Sequence, residues 1–152
     1  MRSNEFIFYG LSDYKENIDK IIAELNAYQY DFEIRLILTE ALTNAFKHGN
    51  NMNVNKPIYL RYSYNGKSVT FEISDSGSGF ENEIIEEQIV DENLLSDNGR
   101  GLFLIKSLSD KIELRQNTLI IQKSLSAKIT KMPCCEVKWK IGGIINANKL
   151  KK

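Results

Sequence analysis

The chain has 152 residues, enough for one domain with a single well-formed core. Its 20 basic residues balance 20 acidic ones, so it lacks the global positive field of non-specific nucleic-acid binders, and a hydrophobic content of 42% argues against disorder. No stretch reaches the roughly 18–20 apolar residues of a membrane span. Met1-Arg2-Ser3-Asn4-Glu5 opens into a short apolar run without signal-peptide character. The expectation is therefore a cytoplasmic protein with no membrane and no direct nucleic-acid partner.

In chain order, Phe6-Ile7-Phe8-Tyr9 reads as a strand stopped by Gly10. Ser12-Asp13 can cap a helix from about Tyr14 to Ala27, with Ile18, Ile21, Ile22 and Leu25 at helical spacing. A second helix is predicted from about Asp31 to His48, where Ile34, Ile37, Leu38, Ala41 and Ala45 form the apolar stripe and Gly49 the stop. The period then changes from helical to alternating. Ile58–Tyr64 and Ser68–Ile73 flank Asn65-Gly66, a dipeptide suited to the positive φ angles of a tight hairpin turn.

From Asp75 to about Arg100 the chain is rich in glycine, acid and asparagine. Leu102–Leu108 reads as a helix, and Lys111–Arg115 with Thr118–Lys123 as a second hairpin. Beyond Ser124 the character changes to seven lysines against the single acid Glu136. There Val137, Trp139 and Ile141 alternate with Lys138 and Lys140, which could make an amphipathic edge strand; a weakly ordered end is the other reading. This order predicts one α/β domain with helices on one sheet face, over residues 1–125, and a basic tail over 126–152. Cys134 and Cys135 are adjacent and read as reduced thiols, and with His48 as the only histidine they make no zinc or iron constellation.

Three clusters carry chemistry. Glu40, Asn44 and His48 recur every four residues and form a polar stripe centred about 80° from the apolar one. On that shoulder between core and solvent, a carboxylate can act as a general base and an asparagine oxygen can hold Mg²⁺; a solvated helix face is the other reading. Asp75-Ser76-Gly77-Ser78-Gly79-Phe80 follows an apolar strand, and its glycines let backbone approach a ligand. The aspartate could accept from an exocyclic amine such as that of adenine, or simply form a turn. Asn98-Gly99-Arg100-Gly101 precedes the predicted third helix, whose first N–H groups could hold phosphate; a mobile loop is the alternative. Neither G-x-G-x-x-G nor G-x-x-x-x-G-K is completed, so Rossmann and P-loop readings fail.

Taken in order, these clusters resemble the nucleotide-binding boxes of the gyrase, histidine-kinase and chaperone ATPase superfamily, the Bergerat fold. Thr39–Gly49 resembles its N box, Asp75–Phe80 its first glycine box and Gly99–Leu102 its second, over roughly residues 5–123. The short form with Glu-x-x-x-Asn-x-x-x-His-Gly is most similar to the anti-sigma-factor serine/threonine kinases. That resemblance implies an α+β fold, a two-layer sandwich with a mixed, mostly antiparallel sheet and helices on one face. It implies ATP and Mg²⁺ as cofactors and Glu40 as the base for a substrate serine. It implies Asn44 as metal ligand, with His48 in the same pocket. Asp75 would read the adenine amine, between Gly77 and Gly79. Gly99, Arg100 and Gly101 would contact phosphate, and Thr118 would assist at the base.

The family often carries Gly-Thr in the last hairpin, where this chain has Asn117-Thr118. The acidic stretch Glu81–Glu92 reads as a mobile lid with its charges outward. The implied partners are a sigma factor and a STAS-type anti-sigma-factor antagonist, and the implied assembly is a homodimer. The alternative is a non-catalytic nucleotide-binding regulator that sequesters a protein partner, for which Glu40 would be dispensable.

Overall fold

Strands of alternating character build a sheet with one buried face. The computed structural model describes residues 1–77 and 97–126. Its five strands are β1 Arg2–Tyr9, β2 Pro57–Tyr64, β3 Ser68–Ser74, β4 Lys111–Arg115 and β5 Thr118–Ser124, in the spatial order β1-β2-β3-β5-β4. All four pairings are antiparallel, so the described sheet is not mixed. Register aligns the apolar positions into rows: Phe6 opposite Leu60 opposite Ile73 opposite Leu119, and Tyr62 opposite Phe71 opposite Ile121. These rows form the floor of the core.

Helices α1 Tyr14–Leu25, α2 Asp31–Asn44 and α3 Asp97–Leu108 make the second layer. α1 buries Ile18, Ile21, Ile22 and Leu25, and α2 buries Ile34, Ile37, Leu38, Ala41 and Leu42, the stripes that periodicity picks out. Among the described residues no helix covers the other sheet face, where Ile7, Tyr9 and Tyr59 are exposed and Arg61 lies between Glu5 and Glu72. The domain is a two-layer α+β sandwich.

Several boundaries differ from the sequence reading, each for a local reason. α1 ends two residues early because Asn26 takes the left-handed conformation (φ 51°), and its N–H and that of Ala27 close on Ala23 O and Ile22 O. α2 stops at Asn44 and continues as a π-helical turn, Ala45–Gly49, closed by the Asn50 N–H on Ala45 O. In the first hairpin only Gly66 has positive φ, not Asn65. Asn65 instead accepts the N–H groups of Lys67 and Ser68 on its side-chain oxygen.

One inward position of β5 is charged. Lys123 is buried; its ammonium donates to Leu108 O at 2.7 Å, pairs with Glu33 and stands 5.4 Å from the Tyr30 ring centroid. A cation at the last carbonyls of a helix complements the helix dipole. Lys123 thus joins β5 to the start of α2 and the end of α3. Gly79, the acidic stretch 81–92, the adjacent cysteines and the basic tail with its candidate edge strand at 137–141 lie outside the described residues.

Candidate functional site: an apolar cavity with a polar end

The site is built where α2 runs out. Asn44 is its last residue, and the π turn behind it carries His48 and Gly49. Two residues with positive φ, Asn51 and Met52, then turn the chain back towards β2. A π turn widens the helix here, and such turns recur at functional sites.

Asp75 follows the last residue of β3, and its main chain is pinned from the β4–β5 hairpin. The Asp75 N–H donates to Asn117 O at 3.1 Å, and Asn117 Nδ2 donates back to Asp75 O. The Asp75 carboxylate then accepts the Gly77 N–H on Oδ1 at 2.8 Å. Burial pushes this carboxyl above its ordinary pKa, against the opposing pull of the Gly77 N–H and the charge of Lys56.

Two glycines make that position possible. A Cβ on Gly49 would overlap the Asp75 carboxylate, and one on Gly77 would meet Gly49 O and come within 2.9 Å of Asp75 Oδ1. From the other side the fully buried Asn50 holds the same turn. Its Oδ1 accepts the Ser76 N–H at 2.8 Å, while Nδ2 donates to Lys56 O and Pro57 O at 3.0 and 3.2 Å. Sequence reasoning missed Asn50, because an asparagine after His-Gly reads as a turn residue until its burial is known.

Between these elements lies a cavity of about 160 Å³. Ala41, Ala45, Ile73, Leu102, Leu114 and Leu119 give it apolar walls; Asn44, His48, Asp75 and Asn117 supply polar groups. Asn44, His48 and Asp75 are thereby brought together. Glu40 stands one helical turn before Asn44, outside the cavity lining.

The second glycine cluster is not a loop ahead of a helix. α3 begins at Asp97, so Gly99, Arg100 and Gly101 lie within its first turns. Leu102, buried Ile105 and Leu108 pack onto the core and draw the helix out past glycines that cost only about 1 kcal/mol each. The first four N–H groups of a helix lack intrahelical partners, which includes Gly99 but not Gly101. Gly101 acts by its missing side chain instead. A Cβ there would sit 2.9 Å from Glu40 Oε2 and 3.2 Å from Asn44 Nδ2, so its absence lets α3 close on α2. Arg100 is exposed on this turn.

Thr118 is not brought to the cavity. It alternates with inward Leu119, so its hydroxyl lies on the outer sheet face, 2.8 Å from Ser74 Oγ. Asn117 takes the place beside Asp75.

The donor set fits a nucleotide with a divalent cation. The Asn44 amide, with Nδ2 at 3.2 Å and Oδ1 at 3.5 Å, and Glu40 Oε2 at 2.9 Å all border the space beside Gly101, where the Asn44 oxygen is a hard ligand and Mg²⁺ would need only one or two from protein. An apolar cavity with a carboxylate in its lining suits a heterocycle with one polar edge.

The sequence pattern of the histidine kinase-like ATPase domain matches residues 15–123. The chain belongs to this family. The match contains every residue lining the cavity. The chain is also similar to the serine-protein kinase RsbW of Staphylococcus aureus, in strains JH9, Newman and USA300 alike. Each is 34% identical over 87 residues, covering 53% of this chain and 55% of the kinase. The chain thus spans about half the length of the curated relatives it matches. No helix among the described residues is long and apolar enough to cross a membrane.

Proposed function

We propose that this protein is a Mg·ATP-dependent serine/threonine protein kinase that acts as an anti-sigma factor in a partner switch. The observation that carries the reading is the convergence of Glu40 and Asn44 beside Gly101, next to an apolar cavity that Asp75 also lines. Similarity to the serine-protein kinase RsbW supports the kinase class.

In this reading the base of ATP enters the cavity with its amino group towards Asp75. Phosphates run past the start of α3, where the Gly99 N–H and Arg100 lie. Asn44 would hold Mg²⁺, which supplies charge neutralisation at the phosphates when bound. Glu40 takes the proton from the hydroxyl of a protein substrate. Phosphoryl transfer asks mainly for positioning and charge neutralisation, so this small set suffices. The substrate would be a STAS-type antagonist, competing with a sigma factor for the kinase.

Calorimetric titration with ATP, with and without Mg²⁺, tests the pocket on the wild type, Asn44→Ala and Glu40→Ala. Binding that requires Mg²⁺, disappears in Asn44→Ala and persists in Glu40→Ala is expected. Phosphate transfer to a STAS-type protein from the same genome should be lost in Glu40→Ala. Equal transfer by that variant would leave a nucleotide-binding regulator without Glu40 chemistry, and a wild type that binds no nucleotide would sink both readings.

A further inference from the structure

Past β5 the chain is led off the sheet by two fixed contacts. Buried Leu125 donates its N–H to Lys67 O at 2.7 Å, one step beyond the pair Ser68 and Ser124. Buried Tyr30 then donates its hydroxyl to Ser126 O at 2.6 Å. Tyr30 closes the short turn Tyr28–Tyr30 between α1 and α2, so the chain leaves at that joint. On either side of Tyr30 stand exposed aromatics, Tyr28 at 64% and Phe32 at 73%. Apart from Met1, Phe32 is the most exposed large hydrophobic among the described residues. It lies between two acids, Asp31 and Glu33, which pair with Arg35 and Lys123.

Beyond Ser126 the sequence carries the inverse arrangement. Lys138-Trp139-Lys140 sets an aromatic between two cations, flanked by Val137 and Ile141. The chain is neutral overall, so the lysine excess past Ser126 is matched by an acid excess before it. We infer that residues 137–141 dock over Tyr28 and Phe32 of the same chain, with Trp139 against the two rings and Lys138 and Lys140 towards Asp31 and Glu33. Trp139 lies 13 residues beyond Ser126, a reach of up to about 40 Å when extended. Closure entropy grows only slowly with loop length, and the tether keeps the segment at a high local concentration. Aromatic burial carries the docking, because exposed ion pairs contribute little; the lysines set its orientation. β5 begins at Thr118 beside the cavity and ends at this patch, so the docking is separate from the nucleotide reading.

Trp139 is the only tryptophan, so its fluorescence reports the segment directly. In the full chain, its emission should be blue-shifted and its quenching by acrylamide weaker than in the urea-unfolded protein. Tyr28→Ser with Phe32→Ser, both at exposed positions, should move emission and quenching to the unfolded values while circular dichroism stays unchanged. Lys138→Glu with Lys140→Glu brings like charges together and should shift both part of the way; it decides the matter if the first variant does not fold. A wild-type Trp139 quenched as freely as in urea, or protection that survives both variants, would overturn the inference. Protection that fades on dilution would overturn it in favour of a second copy of the chain. Protection that appears only with phosphatidylglycerol vesicles would overturn it in favour of an anionic membrane surface.

Discussion

The carboxylate of Asp75 rests against the α-carbon of Gly49, in space that any side chain on Gly49 would occupy. The end of α2 and the end of β3 therefore meet through a glycine and an acid. Gly49→Ala should push the Asp75 side chain off its bond to the Gly77 N–H. ATP affinity should fall at least about tenfold, the scale of one charge-assisted hydrogen bond. Calorimetry beside a thermal melt checks this, and undiminished affinity would mean Asp75 does not read the base.

Gly101→Ala should separate stability from activity. Alanine favours a helix over glycine by about 1 kcal/mol, so melting should hold or rise. The added carbon lies 2.9 Å from Glu40 Oε2, the far end of a flexible side chain that can swing away. Phosphoryl transfer should then drop by about 10²-fold, the low end for a displaced general base, with ATP binding reduced far less. Parallel losses in binding and turnover would point to a shifted α3 instead.

Asn50→Ala removes three hydrogen bonds from a fully buried place; Lys56 O and the Ser76 N–H lose the asparagine, while Pro57 O keeps the Ser76 hydroxyl. A loss of about 2–4 kcal/mol in chemical denaturation is expected. Asn50→Asp should be no better, because it restores the acceptor for Ser76 but not the donor for the two carbonyls. A near-neutral alanine variant would show that the turn before β2 holds itself.

Alkaline pH offers a test far from the cavity. Burial, then the hydrogen bond to Glu24, pushes the Tyr62 phenol up to about 12. A phenol with a raised folded pKa favours folding fully below its unfolded value near 10 and loses that contribution as pH rises through about 12. Stability should decline across that window, and Tyr62→Phe should flatten the decline. Denaturation midpoints at stepped pH, with tyrosinate absorbance in parallel, measure both; an equally steep decline in the variant would assign it elsewhere.

Much of this architecture is legible in the chain because periodicity survives folding. The stripe Ile34, Ile37, Leu38, Ala41 marks the buried face of α2, and alternation around Phe71 and Ile121 marks the floor of the core. What is not legible depends on closure in three dimensions. The π turn at Ala45–Gly49 is a change in hydrogen-bond partner with no compositional mark. Gly99 and Gly101 read as residues ahead of a helix, yet with Ile105 packed in the core the helix begins before them. In the candidate site, Asn44, His48 and Asp75 fall on one cavity, while Thr118 faces away and Asn117 takes its place. Lys123 breaks the apolar row of β5, and only its three partners explain why it is tolerated there.

Those partners give α3 a fulcrum. Lys123 grips Leu108, the last residue of the helix, and Glu33 near the start of α2, so any displacement of α3 would be smallest at that end. Gly101 lies seven residues upstream, a lever arm of about 10 Å at 1.5 Å per residue. A tilt of only ~10° about Leu108 would carry Gly101 by about 2 Å over that arm, enough to open or shut the gap above Glu40 and Asn44 without disturbing the sheet.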